Sequence, residues 1–252
     1  MLTPKANCMH RISTYFFALS MMFATVASAQ FTKGTRMVGV SLGSAFFNSG
    51  KKEFSVPAPT TGYTSSINSY GFGISPSMGW FISSDMVVGA RVMLGYNYDK
   101  TIDADNNVTF RKNIRTSFTG SIGGFARKYF GTDGFMPFAQ VHADAGSGTS
   151  HTEGFLYTTV YKEIYTGKSS GDFSADGGLS VGVTKLLNDH VGLEIAAGYL
   201  YSYNKNKFKT TTSRDIDRNG TIDEEGISQL TTKYTNHGAS ISIGLQVFLN
   251  RR

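Results

Sequence analysis

Cysteine is all but missing from this chain. Its one thiol, Cys8, stands ahead of an apolar leader, so the remainder can form neither disulfides nor thiolate metal centres. Long hydrophobic runs are also missing: beyond residue 29 no segment is apolar for long enough to cross a membrane as a helix. Charge of one sign is weak. Taking Lys5 and Arg11 of the leader from a formal +6 leaves +4, too little to argue for nucleic acid as a partner. Proline is scarce, at five residues, whereas glycine numbers 29 and aromatics make up 13%. A chain with these absences and this length suits a β-barrel, either soluble or of the outer membrane.

The leader sets the compartment. Lys5 and Arg11 precede "ISTYFFALSMMFATV" (12–26), and Ala27, Ser28 and Ala29 supply the small residues of a cleavage site. Residues 1–29 are expected to be a secretory signal peptide and 30–252 one barrel domain.

Alternation dominates the chain beyond the leader. In "GASISIGLQVFL" (238–249), Ala239, Ile241, Ile243, Leu245, Val247 and Leu249 share one face, with glycine, serine and glutamine on the other. Similar stretches lie at 35–47, 69–82, 86–98, 114–130, 135–151, 171–187 and 191–204. Tight turns are expected at "SSD" (83–85), "GTDG" (131–134) and "NDH" (188–190). Long polar loops are expected at 48–68, 99–113, 152–170 and 205–236. Three short turns and four long loops joining eight strands predict an all-β, eight-stranded antiparallel up-and-down transmembrane β-barrel.

A soluble barrel would turn the apolar face inward, and the charges argue against that. Arg91, Arg127, His142, Asp144, Asp172, Asp176 and Glu194 all fall on the polar face, among glycine, serine and alanine. An eight-stranded interior holds little more than a filling of side chains. Small residues with a few opposed charges fit there, whereas Trp80 and the tyrosines at 96, 98, 199, 201 and 203 fit a lipid-facing wall. Tyr70, Tyr96, Tyr98, Tyr199, Tyr201 and Tyr203 form one expected girdle, and Trp80, Tyr129, Phe130, Phe135 and Phe248 the other.

Signal peptide, strand layout and the last strand "GASISIGLQVFLNRR" together resemble the small OmpA/OmpX-like outer-membrane β-barrels of Gram-negative bacteria, the porin-family barrel domain. The resemblance covers nearly all of the chain after the leader. It implies location in the outer membrane, contact with outer-membrane lipids, and handling by the barrel-assembly machinery. That machinery reads a terminal aromatic, and here Phe248 stands four residues short of the end. The resemblance also implies roles in membrane integrity or small-solute passage.

Three constellations carry candidate chemistry. Arg91, Arg127, His142, Asp144, Asp176 and Glu194 make a lumen charge network, which is either a structural plug or a polar path for ions. His142 and Asp144 could form an acid–base pair, but neighbours on one strand face are about 7 Å apart. His151, near Ser150 and a long loop, is the better-placed residue for a lipid-modifying enzyme, although no third group accompanies it.

The third is "DIDRNGTIDEEG" (215–226), which has the spacing of a calcium loop. Asp215, Asp217 and Asn219 stand at positions one, three and five, Gly220 at six, the Thr221 carbonyl at seven and Asp223 at nine. Position twelve is Gly226 rather than glutamate, and Glu225 comes one place early. The choice lies between weak calcium binding and an ordinary solvated acidic turn. The chain is therefore expected to be non-enzymatic, acting on a surface ligand through its outside loops. A narrow pore and a lipid-modifying enzyme stand as alternatives.

Overall fold

The computed structural model describes residues 31–54, 62–105, 108–131, 134–169 and 172–249. The segment expected to be a signal peptide, 1–29, lies outside the described residues. The strands are β1 (Arg36–Phe54), β2 (Tyr63–Phe81), β3 (Met86–Asp105), β4 (Val108–Tyr129), β5 (Phe135–Tyr157), β6 (Lys162–Ser169), β7 (Phe173–Leu186), β8 (Val191–Asp215) and β9 (Glu224–Leu249). Every pairing is antiparallel, chain neighbours pair except β6 with β7, and β9 returns to β1 to close the barrel.

Nine strands make eight staves. β6 and β7 lie end to end between β5 and β8: β6 pairs with their outer ends, β7 with their inner ends. The sixth stave thus begins at Lys162, not at 171 as the sequence suggests. Asp172 falls before β7 rather than on its inner face, and its carboxylate accepts the Lys207 backbone N–H at 3.0 Å.

Side chains divide as the alternation requires. Val38, Val40 and Leu42 of β1 face out, as do Tyr70, Phe72, Ile74, Met78 and Trp80 of β2, and all are solvent-accessible. Ile241 of β9 is 69% exposed, a position no soluble protein would leave to a row of branched aliphatics. Met37, Val87, Phe125 and Phe248, one residue out of phase, are buried inside.

The short turns sit where the sequence puts them. At 82–85 the Ile82 N–H reaches the Met86 carbonyl (2.9 Å), and Ser83 donates to Asp85 (2.7 Å), which holds that carboxyl below its usual range. At 188–190 the Asn188 side chain accepts the N–H groups of His190 and Val191. Gly131 and Gly134 take the positive φ angles, 104° and 76°, that the third turn needs.

The long loops are a different matter. β1 continues to Phe54, β3 to Asp105, β5 to Tyr157 and β8 to Asp215, so most of each expected loop is paired strand. β8 and β9 reach 25 and 26 residues, against roughly 9–11 needed to cross a bilayer at a tilt. The reason is physical. Alternation needs one oily and one wet face, and beyond the membrane both faces are wet. The ladder persists there on threonine, isoleucine and phenylalanine, as in "NKFKTT" (206–211) opposite "ISQLTT" (227–232).

The seam between β1 and β9 is short. Their register runs from Arg36–Leu249 to Leu42–Ile243, seven rungs, and then stops. At that height β1 carries a bulge between Leu42 and Ser44, at Gly43, and it goes on paired with β2 alone. Among the described residues, Ser44–Phe54 and Glu224–Ser242 share no rungs.

Candidate functional site

The lumen is best followed upward from the short-turn end. Met37, Phe81, Val87, Phe125, Tyr129, Met136, Phe138 and Phe248 fill the bottom, with Phe31 laid against Phe81 and Phe248 at ring separations of 4.2 and 4.6 Å. Two expected members of the lower girdle, Tyr129 and Phe248, therefore face inward, at 1% and 0% exposure. Strand parity decides this: Lys128 and Val247 hold the outward positions beside them. Trp80 and Phe135 do face out, and Phe135 stacks under Lys185.

Above this floor sits Arg127. Its Nη1 and Nη2 donate to the Glu194 carboxylate at 2.5 and 3.1 Å, its Nε to Gln140 Oε1 at 2.8 Å, and Nη1 also to the Tyr129 hydroxyl at 2.9 Å. The guanidinium lies 4.1 Å from the centre of the Phe138 ring, and Thr184 donates to Glu194 at 3.5 Å. Arg91 builds a second tier. It grips Asp144 in a fork, Nε to Oδ1 at 2.8 Å and Nη2 to Oδ2 at 2.6 Å. The paired geometry suits guanidinium and carboxylate, whose desolvation in a narrow lumen demands it. Asp176 is the rung partner of Asp144 across β5 and β7.

All six expected lumen residues thus line the interior, and the network divides into two forks rather than one web. His142 comes within 4.0 Å of Asp144 by side-chain bending, too far for a hydrogen bond, and Asp144 is already held by Arg91. His151 is a correction. It faces outward, 53% exposed, beside Glu153, whereas Ser150 faces inward and its N–H donates to Ser169 Oγ. Successive residues of a strand look to opposite sides, so the two cannot act on one substrate.

The outer half of the lumen was not legible as a site. Arg111 pairs with buried Asp103 at 2.8 Å, Tyr165 donates to the Lys112 carbonyl at 3.2 Å, and Arg214 donates to Glu163 at 2.9 Å with Glu224 nearby at 3.6 Å. Burial raises the Tyr165 hydroxyl above its ordinary pKa. Of these, Glu163, Arg214 and Glu224 border an open cavity against β6, β8 and the start of β9, which Thr212, Gly226 and Ser228 also line. Outside, just beyond the girdle tyrosines of β8, Lys205 stands rung to rung with Lys233 and Lys209 with Lys168. Among the described residues none of the four has a carboxylate within 4 Å.

The acidic loop caps the longest hairpin. One carboxylate oxygen from each of Asp215, Asp217 and Asp223 gathers within 4.8 Å. Asp215 Oδ2 accepts the Gly220 N–H at 3.0 Å, Asp223 Oδ2 the Ile216 N–H at 2.7 Å, Asp217 Oδ1 the Asn219 N–H at 3.2 Å, and Asn219 Oδ1 the Thr221 N–H at 2.7 Å. Gly220 takes a φ of 92° at the sharp bend. Glu225 is a second correction: it has left the loop for β9, in register with Ser213, and lies outside the carboxylate cluster.

An apolar wall facing outward, a packed and ion-paired lumen, and short turns at one end with tall hairpins at the other define an outer-membrane-type transmembrane β-barrel. The chain is similar to three solved outer-membrane structures. OprG from Pseudomonas aeruginosa is 11% identical, over 88% of this chain and 99% of that one, with a TM-score of 0.45. Neisserial surface protein A is 16% identical, over 88% and 98%, at 0.32, and the outer membrane protease OmpT from Escherichia coli 10%, over 90% and 100%, at 0.24. They do not single out the OmpA/OmpX-like barrels. No family model and no curated protein matches the chain.

Proposed function

We propose that this barrel is non-enzymatic and acts at the cell surface, binding a ligand through its four hairpins and the cavity beside β8 and β9. One observation carries the reading: the short-turn end is packed shut by an aromatic floor and the Arg127–Glu194 tier, while the paired wall rises past the girdle. A lumen closed below and open above favours recognition over through-passage. The outward lysine pairs favour contact with anionic headgroups of outer-membrane lipids, since like charges rung to rung are otherwise destabilising. Support for the non-enzymatic part is that His151 and Ser150 lie on opposite faces and Asp144 is occupied by Arg91.

The short seam favours a second reading, small-solute passage that leaves sideways. The gap opens beside outward Phe47 and Ile241, at a height where rungs are missing between β1 and β9. Planar-bilayer recording and cell adhesion separate the two readings. Surface recognition predicts no steady conductance, and it predicts that cells bearing the barrel attach to matrix-coated surfaces while cells with β8–β9 trimmed above Lys209 do not. Stable open-channel current together with unchanged attachment of the trimmed variant defeats it.

A further inference from the structure

The structure gathers a cluster of three carboxylates that the surface-recognition reading does not need. We propose that the tip of the β8–β9 hairpin binds one calcium ion through Asp215, Asp217 and Asp223, with Asn219 and the Thr221 carbonyl completing the set.

Sequence spacing alone would leave an acidic turn as good an account. Asp215 tips the balance. It is the last residue of β8, only 5% exposed, and its Oδ1 is buried with no hydrogen-bond partner while Oδ2 takes the Gly220 N–H. A buried carboxylate oxygen without a donor carries its full desolvation cost. The neighbours gathered around it are two more carboxylates, not donors, so their mutual repulsion adds to that cost. A cation satisfies the free oxygen and removes the repulsion together.

Donor chemistry selects the ion. Every available ligand is oxygen, three of them charged, on a turn short enough to wrap and irregular enough to suit variable coordination. Calcium takes six to eight such oxygens, whereas magnesium demands a near-ideal octahedron and holds its waters, and zinc prefers nitrogen and sulfur. Glu225 is committed to the outer face of β9, and Glu224 stands beside Arg214, so no bidentate glutamate closes the cage. Affinity should therefore sit in the range of extracellular modules, with Kd of about 10⁻⁴–10⁻³ M.

Binding would do more than stiffen one turn. Arg218 lies between two of the ligands, at a φ of 61°, and its guanidinium donates to the Thr158 carbonyl in the β5–β6 turn. That turn is held by Thr158 itself, whose hydroxyl bonds Tyr161. Closing the loop on calcium fixes Arg218 and so ties two hairpins at the outer rim.

The experiment uses the barrel refolded in detergent, with heat-modifiable gel mobility confirming the fold of each variant. Calcium chloride titrated calorimetrically should give single-site heat, and Asp217→Ala should weaken it at least tenfold. Trypsin should cut after Arg218 several-fold more slowly in millimolar calcium, and equal magnesium should not protect. No heat and no protection in a folded barrel overturns the site, as does an Asp217→Ala variant that binds like the parent or magnesium that protects equally.

Discussion

Arg127 shows how much one side chain settles inside a narrow wall. Its fork, its third donor and one face of its guanidinium are all engaged, by Glu194, Gln140, Tyr129 and the Phe138 ring. Such a group is costly to leave half-paired. Glu194→Gln or Arg127→Met alone should destabilise the barrel by about 3–5 kcal/mol in urea unfolding from vesicles, whereas Arg127→Met with Glu194→Leu should recover most of the loss. Recovery would mean that the pair tolerates replacement and that its role is to fill and order the lumen. The charges themselves were legible, because strand parity puts Arg91, Arg127, Asp144 and Glu194 on one face. Their partners were not. Arg127 and Glu194 are 67 residues apart, and they meet across the lumen from β4 and β8, which have β5 and β7 between them in the wall.

At the scale of strands, the same residue type means different things on the two faces. Ile195 is outward, mid-band and exposed, with Ala197 and Leu193 flanking it on the lipid side. Ile195→Arg should cost about 2–4 kcal/mol, falling toward zero for the same change at Thr231 on β9, above the tyrosine girdle. Refolding yields and urea midpoints in vesicles would measure the gradient, and a flat response would displace the membrane band from this height. Strand existence and facing could be read from alternation in "GASISIGLQVFL". Strand length could not, because the pattern ends where lipid ends while hydrogen bonding continues. That is why 205–236 reads as a loop, whereas all of it but 216–223 is the outer part of the two longest strands of the barrel.

For the whole molecule the decisive feature is uneven closure. β9 has β8 along its length but β1 only at its base. Hydrogen exchange should therefore split within one strand: amides of Ile243–Leu249 protected throughout, and those of Glu224–Ser242 alternating between slow toward β8 and fast toward β1. Uniform protection would mean that the seam is zipped or covered, and would remove the support for sideways passage.

Composition and periodicity by themselves determined a chain of alternating strands with a single cysteine near its start and its charge on one face, since each residue reports its own side of a two-sided wall. Only the tertiary structure decided which charges meet, that Tyr129 and Phe248 close the floor, that Glu225 leaves the acidic loop, and that the seam stops after Leu42. Those outcomes depend on register and closure, which are set between strands distant in the chain and leave no mark on any one of them.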